Sequence, residues 1–148
     1  MGVASVNTHL PNYIDHDMSP DKVAKRESVE WLVKHLMEEH GIDYTFYWND
    51  ISGQYGSCYP LLGIIKLNVY HVYVNTLNRT EETILHEIAH ALNWKRNKAL
   101  GHGEDWREIC IEIGAPPRIR YSVFDTRIPY EYQHLMREDN CEKDYFTN

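Results

Sequence analysis

The chain has 148 residues, 43% hydrophobic and 25% charged, which suits a single globular domain with a core of its own. No apolar run approaches the ~18 residues of a membrane span, and residues 1–17 lack the basic start and apolar stretch of a secretory leader. The formal net charge of −7 leans away from a dedicated nucleic-acid binder.

The charge is uneven. Residues 95–127 carry 7 basic and 5 acidic side chains, a mild inversion too weak to define a binding groove. Gly2 follows Met1, but Val6 stands where a myristoylation signal needs Ser or Thr. Cys58, Cys110 and Cys141 are odd in number, widely spaced and free of any CxxC. That pattern points to a reducing compartment, the cytoplasm, and away from a disulfide framework or a cysteine zinc ribbon. We expect one domain over residues 1–148, with 1–18 a peripheral arm and 137–148 an acidic tail, no membrane partner, and a monomer.

In chain order, Ser19-Pro20 reads as a helix start, with Ser at the N-cap and Pro at the first helical position. Val29, Leu32, Val33, Leu36 and Met37 then mark one apolar helical face, and Gly41 stands where a helix ends. Residues 44–48 are aromatic and β-rich, residues 49–53 read as a turn, and residues 54–59 as a returning strand. Gly63 opens a third strand over 64–69. Residues 70–75 alternate and extend it or form a short strand of their own. Residues 78–82 predict a second helix start, the helix running over about 81–95. Glu104 to Ile113 predicts a third helix, closed by Gly114 and Pro116-Pro117. Residues 129–136 could form one more short helix. The fold class is α+β: an N-terminal helix on a small three- or four-stranded sheet, followed by two helices.

The informative segment is His86-Glu87-Ile88-Ala89-His90 within TILHEIAHAL. Residues four apart share one helix face, so His86 and His90 can bind one metal ion together. Glu87 is turned by about 100° from His86, which sets its carboxylate beside the metal rather than on it. This is the HExxH pattern of zinc hydrolases, with Glu87 as general base. Apolar neighbours Ile84, Leu85, Ile88, Ala91 and Leu92 argue that the helix is buried. Two histidines and a glutamate inside such a helix are costly to leave unpaired.

A catalytic zinc takes three protein ligands and leaves a position open. Asn93 and Arg96 stand where a metzincin needs Gly and His, so that class is excluded. His102 is the favoured candidate, since the flanking Gly101 and Gly103 let the backbone turn sharply towards the metal; Glu104, Glu108 and Glu112 are the carboxylate alternatives, and a site with no third ligand stays open beside them.

HEIAHAL followed by the segment His102-Gly103-Glu104-Asp105-Trp106 resembles the SprT-like metallopeptidases, the family that includes the Spartan DNA–protein-crosslink proteases. The resemblance covers residues 23–117. It implies a zincin-like fold and Zn2+ held by His86, His90 and His102, with Glu87 as the catalytic base. Only Cys141 follows Pro117, so this reads as a short form without the C-terminal CxxC…CxxC ribbon of many bacterial and archaeal relatives. Ribbonless relatives occur in bacteriophages, an origin that would place the chain in the host cytoplasm.

Other residues read two ways. Trp94 and Trp106 line a cleft or wedge between helices. His71 is a pocket proton donor or, the plainer reading, a residue of an alternating strand. Lys95, Arg96 and Lys98 touch phosphate or form a solvated face. Cys110 reads as a small core residue, and tyrosines such as Tyr121 are candidates to stabilise an oxyanion. The expected function is zinc-dependent hydrolysis of peptide bonds in a polypeptide substrate, DNA-associated or DNA-crosslinked proteins included, with weak or no direct nucleic-acid binding. The alternative is a non-proteolytic zinc-binding or adaptor module with a structural metal.

Overall fold

The computed structural model describes residues 18–49 and 55–117. Helix α1 (Pro20–Glu39) starts at the predicted Ser-Pro and turns Val29, Val33, Leu36 and Met37 into the core. Gly41 ends it at φ 70°, with Gly41 N–H donating to Glu38 O (3.2 Å) and Ile42 N–H to Met37 O (2.8 Å). That pair of bonds satisfies carbonyls the helix end leaves open, in a conformation that favours glycine.

Strands β1 (Thr45–Asn49), β2 (Gly56–Tyr59) and β3 (Ile64–Asn68) form one mixed sheet in the order β1-β3-β2. The expected return of the second strand beside the first is corrected: β3 lies between them, parallel to β1 and antiparallel to β2. The tight connection is therefore the one between β2 and β3, where Leu62 N–H donates to Tyr59 O and Gly63 sits at φ 67°. The register aligns Phe46, Ile65 and Cys58 in one row and Trp48, Leu67 and Gly56 in the next. All five side chains of those rows other than the glycine's are buried, as alternation on a one-sided sheet requires.

Residues 69–74 are a correction too. They form a short helix, α2 (Val69–Val74), and no strand. Asn68 decides this locally: its side-chain oxygen accepts from Tyr70 N–H (2.9 Å) and His71 N–H (3.3 Å), an N-cap that a strand could not use. Val69 and Val72 then enter the core at helical spacing. At the other end Lys25 Nζ donates to Tyr73 O and Asn75 O (2.6 Å), tying α2 to α1.

Helix α3 (Leu77–Asn97) starts four residues before the expected position, because Thr76 caps it by accepting from Arg79 N–H at 3.1 Å. It packs against α1, β2 and α4 (Glu104–Ile113), so every residue over 83–93 is buried. A helix enclosed on all sides holds its side chains in fixed directions. Helix α4 matches its expected bounds, and Gly114 (φ 86°) closes it with the same two-bond pattern seen at Gly41. A buried polar bond also joins α1 to the sheet: Trp48 Nε1–H donates to Glu30 at 2.8 Å. Burial pushes the Glu30 carboxyl up, and the Trp48 bond and the nearby Arg26 charge pull against it. Among the described residues no helix is long and apolar enough to cross a membrane. The candidate helix at 129–136, Tyr121 and the tail at 137–148 lie outside the described residues.

Candidate metal centre

Helix α3 projects His86 and His90 from one face, one turn apart, and the loop before α4 brings His102 to meet them. His102 Nε2 lies 3.1 Å from His86 Nε2 and 2.9 Å from His90 Nε2. All three residues are buried, and they could hold one metal ion. Two glycines flank His102, and Gly101 uses its freedom at φ 87° to turn the chain inward.

The carboxylate alternatives stand elsewhere. Glu104 and Glu108 are on the exposed face of α4, and Glu112 forms a bidentate pair with Arg96, both bonds at 2.9 Å. The structure thus brings together the three histidines and leaves the three glutamates in solvent.

The donor chemistry fits a cation. One proton between two Nε2 atoms can satisfy a pair, yet here two nitrogens converge on a third. The three ring nitrogens lie close enough together for one metal ion to take all of them as ligands. Burial, reinforced by His86 and His102, holds His90 well below the usual histidine range, so it stays neutral and keeps a lone pair to donate. Glu87 is 1% exposed, and its Oε2 lies 4.0 Å from His86 Nε2, beside the nitrogen cluster and clear of it.

Trp106 does more than wedge two helices apart. It is fully buried and contacts all three imidazoles, nearly parallel to His90 at 5.4 Å between ring centroids and edge-on to His86 (4.8 Å) and His102 (4.6 Å). Its indole N–H donates to His86 O at 3.4 Å. A sequence signal existed: Trp106 follows His102 by four residues, at the start of the helix that the histidine precedes.

His71 is absent from the metal cluster. It is fully buried on α2, where its ring stacks on Tyr55 at 4.5 Å and its Nε2 lies 3.3 Å from Thr83 Oγ1. Asn75 Nδ2 stands 3.1 Å from its Nδ1, which makes Nε2 the protonated nitrogen. Burial, with the Arg79 and Lys25 charges adding, pushes His71 down to about 3. Cys110 is core, as expected; burial and the neighbouring Glu87 charge push its thiol up to about 12, so it stays protonated and inert. Trp94 is half-buried, and its ring faces Lys98 Nζ at 5.3 Å. Lys95 donates to Gly41 O at 2.9 Å, and Arg96 is held by Glu112.

A helix-borne pair of histidines, a third histidine from the following loop and a buried glutamate beside them define a metallopeptidase-like centre. A model of the SprT-like family matches residues 26–134, about three quarters of the chain, and the chain belongs to that family. No curated protein and no solved structure matches the chain.

Proposed function

We propose that this chain is a zinc-dependent metalloendopeptidase. The observation that carries the reading is the convergence of three buried Nε2 atoms with the Glu87 carboxylate beside them. His86, His90 and His102 would hold the metal. Zinc, when bound, supplies Lewis acidity that polarises a scissile carbonyl and makes a nearby water more acidic. Glu87 has the chemistry of the general base: its carboxylate accepts the proton of the attacking water and returns it to the leaving amine nitrogen. Its burial keeps bulk water from competing for that proton, and its place on an enclosed helix fixes its direction.

Strand β2 ends one edge of the sheet and packs against α3. Gly56, Ser57 and Cys58 of that strand are buried, so an extended polypeptide would reach its edge by strand addition only after the residues that cover it move aside. Direct nucleic-acid binding is weak in this reading, because Lys95 and Arg96 are already engaged within the protein.

The test is a zinc titration of the full chain joined to a cleavage panel of unfolded proteins and proteins crosslinked to single-stranded DNA. One zinc per chain and zinc-dependent cleavage are expected. A metal with four protein ligands and no cleavage across the panel would replace the enzyme by a structural-zinc module.

A further inference from the structure

Strand β2 meets the metal helix at a residue with no side chain. In the sheet, the row Trp48–Leu67 ends on Gly56, and the space a side chain would take there is filled from α3. A Cβ at Gly56 would stand 3.2 Å from Glu87 Oε2, 3.3 Å from Glu87 Cγ and 3.0 Å from Thr83 Cγ2. Those distances are tighter than ordinary van der Waals contact, so some neighbour must move by a few tenths of an ångström.

The strand cannot retreat easily. It is paired with β3, Tyr55 O accepts from Asn68 N–H at 2.9 Å, and the Tyr55 ring is stacked on His71 with only 5° between planes. Thr83 is fixed as well. Its Oγ1 donates to Arg79 O at 3.3 Å and lies 3.3 Å from the protonated Nε2 of His71. A β-branched side chain in a helix has few other rotamers to adopt. The group left to yield is the Glu87 carboxylate.

We propose that Gly56 is a positioning residue for Glu87: β2 forms a bare backbone wall, anchored by the Tyr55–His71–Thr83 contacts, against which the carboxylate rests. This rests on the peptidase reading for its catalytic consequence, and on packing alone for its structural one. Gly56 acts through Glu87 and touches no reacting atom.

The experiment uses the zinc-loaded full chain, its Gly56→Ala variant, and the double variant Gly56→Ala/Thr83→Ser, which removes the methyl 3.0 Å away while keeping the hydroxyl. Crystal structures read the Glu87 position, and kinetics read kcat and KM separately. Since a misplacement of about 1 Å costs on the order of 100-fold, a few tenths of an ångström should lower kcat about tenfold with KM little changed. Gly56→Ala should keep its zinc, shift the carboxylate and lower kcat, and the double variant should stay shifted and slow, because the contacts at 3.2 and 3.3 Å with Glu87 persist once the Thr83 methyl is gone. An unmoved carboxylate overturns the proposal, and so does loss of zinc, a rise in KM with kcat intact, or a double variant restored to wild-type kcat, which would put the strain on the Thr83 methyl instead of Glu87. If the wild type cleaves nothing, the peptidase reading fails, and the carboxylate position alone then decides whether Gly56 sets it.

Discussion

His71 should make this fold acid-sensitive in a way separable from the metal ligands. Its folded value is about 3, set first by burial, against about 6.5 in an unfolded chain. Below pH 6.5 the unfolded chain takes up a proton that the folded one refuses until about pH 3. The stability held by neutral His71 is therefore complete above pH 6.5 and lost as the pH falls towards 3. Between pH 7 and pH 4 the difference in proton uptake integrates to about 3 kcal/mol for a fully buried group. The comparison is urea unfolding of wild type and His71→Gln at both pH values. The two proteins share the same metal ligands, so acid effects on the metal cancel in their difference. Wild type should be the more stable at pH 7, and its advantage should shrink by about 3 kcal/mol at pH 4. A gap independent of pH would refute the buried neutral histidine.

His102→Ala should weaken zinc binding sharply while Glu104→Ala and Glu108→Ala leave it unchanged, read by competition with a zinc chelator; metal lost on Glu108→Ala and kept on His102→Ala would reverse the ligand assignment. Trp106→Ala should destabilise by about 3–5 kcal/mol from the cavity alone and loosen the metal, whereas Trp106→Phe should hold the metal nearly as well; thermal unfolding and zinc affinity measure both. Binding to single-stranded DNA should be weak and fall steeply with salt; tight binding at physiological salt that disappears on neutralising Lys95, Arg96, Lys98, Arg118 and Arg120 would contradict it.

The metal helix and its follower were legible because their signals are local. The i, i+4 histidines within an apolar run need only helical geometry, and Gly114 with Pro116-Pro117 marks the end of α4 by backbone chemistry. The strand order was not legible, since β3 can pair on either side and the choice is made by long-range packing. The residues of α2 misled for a related reason: VYHVYV alternates and is rich in β-branched and aromatic side chains, yet the Asn68 cap and the Lys25 bonds override propensity. The flanking glycines favoured His102 over Glu104, Glu108 and Glu112, but spacing alone could not place the glutamates outside the site. Which face of α4 looks inward decides it, and Trp106 sets that face by packing on the imidazoles. Gly56 left no trace in the sequence, because its role is a space that only the register of β2 against α3 reveals.

Glu87 is the residue the chemistry needs and the metal does not. Gln is nearly the same size but cannot accept the water's proton, so zinc-loaded Glu87→Gln isolates that one step. The general-base role of Glu87 predicts one zinc per chain, an unchanged fold, and cleavage of unfolded protein reduced by about 10²–10⁴-fold relative to wild type. Wild-type cleavage that persists undiminished in zinc-loaded Glu87→Gln would contradict it.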